Sequence, residues 1–366
     1  MKKIGTWHRN HPVLVSLIQL AIFVYCFVFS LELMGTSLKM FGREFAGTLI
    51  ETTSNPFVGL FIGVLATSII QSSSSTTSLV VGMVGGGVLG IQSAIPIVMG
   101  ANIGTSITNT LASLPQMNRS SEFRRSFSAA IVHDFFNLLA VSVLFPIQIM
   151  TNFLGLAAGF MGRVFQDMGG LAFLSPVKVL TQPLISVLKD SLGLHPWMLL
   201  ILSLLLLLLS LKKMVDSLKV VVVKKAEVWF DRFLFNTALR AFLVGVLLTV
   251  MVQSSSITTS LVVPMAGAGI LTLAQIFPYT LGSNVGTTVT AILAALVTGN
   301  LAAIIVAFSH LLFNFCGIII WWPLRSLPIR MAERFSDYST RSKVIPFVYI
   351  IIMFFVVPLI GVYFLR

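Results

Sequence analysis

Two short polar runs interrupt an otherwise apolar chain: Gln71-Ser72-Ser73-Ser74 and Gln253-Ser254-Ser255-Ser256, each directly after an apolar stretch. Hydroxyl side chains compete for backbone hydrogen bonds and so break helices. A helix that restarts after such a break offers N–H groups without intrahelical partners and the positive end of its dipole. Hydroxyls, carboxamides and helix N-termini brought to one point suit a tetrahedral oxyanion. Nearby hydroxyl and carbonyl oxygens suit a small hard cation. The cation candidates are Ser75, Thr76, Asn102, Thr105 and Asp134 in the first half of the chain and Thr258, Asn284 and Thr287 in the second. An anion site beside a cation site is the chemistry of a symporter.

The elements that must position these residues follow from composition. Of 366 residues, 56% are hydrophobic and only 10% charged, against roughly a quarter charged in a soluble domain. The apolar runs approach the ~20 residues a helix needs to cross hydrocarbon and lack the alternation of barrel strands. An all-α integral membrane protein is therefore expected, and a soluble enzyme, a nucleic-acid binder and a secreted disulfide scaffold are poor readings. Cys26 and Cys316 both sit in apolar runs, too few for a cysteine metal site. The stretch from Pro12 to Leu31 is longer than a signal-peptide core and reads as a retained first helix.

The chain also repeats itself. Residues 71–81 and 253–263 agree at ten of eleven positions at an offset of 182, and the offset continues into GANIGTSIT from Gly100 and GSNVGTTVT from Gly282. Gly63 pairs with Gly245, and His133-Asp-Phe-Phe-Asn137 answers His310-Leu-Leu-Phe-Asn314 at an offset of 177. Basic residues in short loops stay cytoplasmic. Seven lie between Lys212 and Arg240, five between Arg325 and Lys343, and Lys2, Lys3 and Arg9 mark the N-terminal tail. With all three inside, repeat one enters from outside and repeat two from inside. The loop after the first GxNxGT segment carries Arg119, Arg124 and Arg125, whereas the second has Thr298-Gly299-Asn300, as inversion requires. The net charge of +12 is thus largely an orientation signal. The expected organisation is a tail, first helix and external connection (1–54), repeat 1 (55–150), an external segment with linker helix and basic cytoplasmic linker (151–235), repeat 2 (236–324), and a basic cytoplasmic loop with the last helix (325–366). Inverted repeats rocking about a central site are a common build for secondary transporters. A broken or re-entrant helical hairpin bearing QSSS is expected in each.

The paired QSSS motifs, the GxNxGT segments and the FRRSFSAAIVHDFFN stretch from Phe123 resemble the type II sodium-dependent phosphate cotransporter family. The resemblance spans roughly Asn55 to Pro328 and implies uptake of inorganic phosphate driven by sodium across the plasma or inner membrane. By the same resemblance, Gln71, Ser72, Ser73 and Ser74 with Gln253, Ser254, Ser255 and Ser256 form the core of the phosphate and ion site. Arg119, Arg124 and Arg125 are orientation charges first; one of them, with Arg119 as the candidate, is expected to reach the phosphate as well, and the sequence does not choose among the three. An acid in the HDxxN context of Asp134 goes with net charge movement, three sodium ions with divalent phosphate. Sodium is then the coupling ion, with no other cofactor, and the partners are phosphate, sodium and lipid, not nucleic acid.

Plainer readings accompany several of these residues. The Gly85–Gly87 run suits close helix packing. Asn102 and Asn284 could cap or stitch helices, His310 reads as an interhelical hydrogen bonder, and Asp134 could pair with His133 or a loop arginine. Two rival functions are a carrier of another oxyanion and a membrane-embedded hydrolase using a serine with His133 and Asp134. The hydrolase is disfavoured because adjacent residues face apart on a helix and a nucleophile needs no duplicate.

Overall fold

The computed structural model describes residues 12–42, 47, 51, 53–168, 175–229 and 235–366. Among these the regular structure is entirely helical. The helices, in order, are α1 (Pro12–Met40), α2 (Pro56–Ile70), α3 (Ser73–Gly85), α4 (Ile91–Thr105), α5 (Ile107–Ser113), α6 (Ser120–Thr151), α7 (Phe153–Asp167), α8 (Ser175–Ser186) and α9 (Pro196–Trp229). They continue as α10 (Ala238–Val252), α11 (Ser255–Gly267), α12 (Leu273–Thr298), α13 (Leu301–Trp321), α14 (Ser326–Ser339), α15 (Val344–Ile351) and α16 (Val357–Leu365). A π-helical turn, Ile352–Val356, joins the last two.

Among the described residues, six segments are long and apolar enough to cross a membrane: Val15–Met40, Ser120–Thr151, Pro196–Ser217, Leu273–Thr298, Leu301–Trp321 and Val344–Leu365. The apolar helices α2 and α10 have 15 residues each. At ~1.5 Å per residue each reaches roughly 22 Å, short of a ~30 Å hydrocarbon core. Each is followed, after two intervening residues, by a helix of 13 residues.

Glycine sets the tightest helix contacts. A Cβ on Gly63 of α2 or Gly100 of α4 would collide with the carbonyl oxygen of Ile97 or Leu60, so these two backbones touch. Gly245 of α10 and Gly282 of α12 repeat the arrangement against Tyr279 and Phe242. Small residues are what permit such approach in a membrane.

Two connections are more ordered than a loop reading implies. The 325–343 segment folds as α14, with Pro328, Ala332, Ser336 and Ser339 buried and its charged residues on the opposite face, the pattern that makes a helix amphipathic. Much of the basic linker continues α9 as far as Trp229. Lys2, Lys3, Arg9 and Arg232, used for orientation, lie outside the described residues.

Candidate functional site

Each QSSS run sits at the break between two short helices, and the two breaks have the same backbone. Gln71 closes α2 in the left-handed region (φ 56°, ψ 29°), and Gln253 closes α10 likewise (φ 56°, ψ 26°). Each glutamine N–H still reaches back to a carbonyl, of Thr67 and Thr249, at 2.7 Å. Ser72 and Ser254 are extended N-caps whose hydroxyls accept from Ser75 N–H (3.2 Å) and Ile257 N–H (3.4 Å). A non-glycine residue in this region is uncommon and costs of order 1 kcal/mol, so the carboxamide is retained against the backbone's preference.

The two breaks meet. The Ser74 hydroxyl donates to the Gln253 carbonyl at 3.4 Å, and Ser256 donates to the Gln71 carbonyl at 3.5 Å. Ser73, Ser74, Ser255 and Ser256 are all buried. Helix starts, hydroxyls and carbonyls of both breaks therefore converge in one place.

Next to them lies a ring of buried amides and imidazoles built from both halves of the chain. Asn102 accepts from His310 Nε2 (3.1 Å) and donates to Asn314 Oδ1 (3.2 Å). Asn284 is bonded to His133 Nε2 (2.6 Å) and donates to Asn137 Oδ1 (2.9 Å). Asn137 then donates to the Asn102 carbonyl (2.7 Å), and Asn314 to the Asn284 carbonyl (3.4 Å). Every bond has a counterpart under exchange of the two halves. The stitching role of the asparagines and the interhelical role of His310 are thus what these side chains perform here.

Around this ring the symmetry ends. Asp134, 1% exposed, accepts at Oδ2 from Tyr349 Oη (2.9 Å) and Thr110 Oγ1 (3.4 Å), while its Oδ1 is buried without a partner. Its neighbour His133 faces Asn284 and Asn109 instead, the latter at 3.3 Å from Nδ1. Asp134 therefore makes no pair with His133 or an arginine, and the two residues face apart. At an offset of 182, Asn109 and Thr110 become Ala291 and Ile292, and at the later offset of 177 Asp134 is answered by Leu311. The helix itself differs: α4 breaks at Ser106 before α5, whereas α12 runs unbroken through the same motif.

The remaining candidates divide. Thr76, Thr105 and Thr287 bond carbonyls one turn back, at Ser72 (3.1 Å), Ala101 (2.9 Å) and Ser283 (3.0 Å). Ser75 bonds the Ser72 hydroxyl (2.9 Å), and Thr258 joins Thr249 across the second break (2.7 Å). Arg119 lies apart, 74% exposed and paired with Glu122. Arg125 donates to the Gly267 carbonyl (2.9 Å) at the end of α11, and Arg124 pairs with Asp337 of α14. Sequence reasoning missed Asn109, Thr110 and Tyr349; the only signal for the first two was the lapse of the repeat at those positions.

The two breaks and the asparagine ring thus make one buried polar centre shared by both halves of the chain, and comparison with known proteins gives the class of protein that carries it. The family model described as Na+/Pi-cotransporter matches residues 26–173 and 206–319, and the chain belongs to that family. It is 35% identical over 442 aligned positions to sodium-dependent phosphate transport protein 2B of Homo sapiens, covering 94% of this chain and 64% of that protein. It is 33% identical to sodium-dependent phosphate transport protein 2A of Mus musculus, covering 98% and 68%. The chain thus spans just under two thirds of the length of the 2B relatives. No solved structure matches it.

Proposed function

We propose that the chain is a sodium-coupled symporter of inorganic phosphate that works by alternating access, and not an enzyme. The observation that carries the reading is the meeting of the two QSSS breaks, each donating a hydroxyl to the other's glutamine carbonyl. In this proposal Gln71, Ser72, Ser73 and Ser74 with Gln253, Ser254, Ser255 and Ser256 hold phosphate. Sodium takes oxygens from among Ser75, Thr76, Asn102, Thr105, Asp134, Thr258, Asn284 and Thr287. Arg119, exposed at the start of α6, would meet the anion only along its path to the cytoplasm. The relatives' names supply phosphate and sodium; helix starts and hydroxyls supply the chemistry for both.

The inverted arrangement belongs to the same proposal. Contacts near the basic end join Arg124 to Asp337, Lys343 to Asn118 (2.7 Å) and Arg125 to Gly267. Away from it, Asn300 donates to the Gly85 carbonyl (3.2 Å) and Asn55 to the Leu365 carbonyl (2.8 Å). This grouping supports re-entrant helix pairs entering from opposite faces, with the N-terminus cytoplasmic. A cysteine replacing Lys213 should be shielded from an impermeant thiol reagent outside intact cells, and one replacing Ser191 labelled; the reverse pattern would remove the inversion.

Uptake is electrogenic in this proposal, with Asp134 as the extra cation site. A tenfold sodium gradient supplies about 1.4 kcal/mol per ion, and one net charge crossing 100 mV adds about 2.3 kcal/mol. Three ions with one net charge then provide roughly 6.5 kcal/mol, against about 2.8 kcal/mol for an electroneutral pair. The test is uptake of labelled phosphate into proteoliposomes under a sodium gradient, with sulfate as competitor. Phosphate accumulation that needs sodium and resists sulfate is expected; accumulation indifferent to the sodium gradient would refute the reading.

A further inference from the structure

Two oxygens of one buried carboxylate are treated differently by the fold. Asp134 Oδ2 is held by Tyr349 and Thr110, with the Ser106 side chain also beside the carboxylate, while Oδ1 is equally buried and makes no hydrogen bond. An uncompensated buried carboxylate is costly and marks a functional site in a membrane protein. If the surroundings served only to satisfy this acid, both oxygens would have donors. Instead one side is anchored and the other is left for a positive guest.

The anchor comes from an unexpected place. Tyr349 lies on α15, beyond both repeats and beyond the residues matched by the family model. Its ring sits between Phe335 of α14 (centroids 4.9 Å apart) and Phe354 of the π-helical turn (6.1 Å apart). Helix α14 is itself fixed to α6, through the Arg124–Asp337 pair and a Ser336 hydroxyl donating to the Arg124 carbonyl (2.6 Å). Arg124 and Asp134 are ten residues apart on α6, about 15 Å along its axis. The C-terminal segment therefore holds α6 at two levels, and the upper hold is the Tyr349 hydroxyl. π-Helical turns occur often at functional sites, and this one begins three residues after the tyrosine.

We propose that Tyr349 is a positioning residue for sodium at Asp134: by donating to Oδ2 it fixes the carboxylate's rotation and presents Oδ1 to the cation. The inference rests on the reading of Asp134 as a cation site. Leu311 stands at the matching position of the second half, so no equivalent tyrosine contact is needed there.

The experiment is sodium-dependent phosphate uptake, with charge movement recorded, in proteoliposomes of the full chain carrying Tyr349→Phe, Asp134→Asn or both. A hydrogen bond to a charged group sets the scale, so Tyr349→Phe should raise the sodium concentration for half-maximal uptake about tenfold. Half-saturation by phosphate at saturating sodium should stay unchanged, and so should the sign of charge movement. In the Asp134→Asn background the same substitution should shift nothing further, an outcome a purely structural tyrosine would not produce. No shift from Tyr349→Phe, or an equal shift in both backgrounds, overturns the proposal while leaving Asp134 as a cation site. Wild-type sodium dependence and charge movement in Asp134→Asn overturn the underlying reading instead, and the inference with it. Should Tyr349→Phe fail to purify as a folded protein, Phe335→Leu loosens the ring and keeps the hydroxyl. It should shift sodium dependence in the same direction by less, and no shift would count against the proposal.

Discussion

The two helix breaks of this molecule share a backbone and differ in how their side chains are engaged. In the second half Gln253 is held on both sides, its Oε1 by Thr290 (2.7 Å) and its Nε2 by the Val250 carbonyl (2.6 Å). Thr249 joins Thr258 (2.7 Å), and Tyr279 donates to the Thr258 carbonyl (2.8 Å). In the first half Gln71 is exposed, and the hydroxyls matching Thr290 and Thr249, those of Thr108 and Thr67, are buried without partners. Ile97 stands where Tyr279 stands in the other half. One break is tied down while the other carries open hydrogen-bonding capacity. The asparagine ring between them is symmetric, so the inequality lies at the edges of the proposed site and not in its centre.

This comparison can be broken most decisively at the glutamines. Gln71→Ala and Gln253→Ala should each reduce sodium-driven phosphate uptake by at least about tenfold, since each removes a carboxamide from the shared site. Normal uptake by either variant, measured in proteoliposomes with protein amounts matched, would reduce the pair to one working half-site. Asp134→Asn comes next. Wild-type uptake should accelerate under an inside-negative potassium-diffusion potential, and the variant should ignore it. Adding Leu311→Asp should not restore the dependence, because Ala291 and Ile292 supply none of the polar groups that Asn109 and Thr110 bring. Restoration would mean that the acid alone makes the difference. The smallest effect is expected in stability. Asn102→Ala and Asn284→Ala should each lower it by about 1–3 kcal/mol through unpaired buried partners. The double variant should fall short of the sum because both belong to one network. Denaturation in detergent measures this, and sharply unequal losses would show the ring to be less symmetric than its bonds.

What could be read from the sequence was whatever the duplication wrote twice. The QSSS match located both helix breaks, and the shift from 182 to 177 brought His133 and Asn137 into correspondence with His310 and Asn314. Both signals survive because the contacts they encode are themselves paired across the two halves. Asn109, Thr110 and Tyr349 were illegible for the opposite reason. Each acts once, the first two at positions where the second half has apolar residues, and Tyr349 in a stretch that no motif covers. The 325–343 segment hid its helix behind its charge, since the same arginines that report orientation also form the polar face of α14. Which glutamine is tied down is a property of one conformation, and identical motifs carry no trace of it.

The glycine contacts between α2 and α4, and between α10 and α12, bear on which parts can shift during the proposed transport cycle. A carbonyl seated in the notch left by a missing side chain acts as a detent: for one helix to slide along its neighbour by even a residue, about 1.5 Å, it must first lift out. The first arm of each broken pair is therefore locked against shear to the helix carrying Asn102 or Asn284. The smallest piece that can travel includes the arm, the glutamine at its end and the asparagine behind it, so a displacement at either tip is delivered to the central ring as a lever delivers it, without slack.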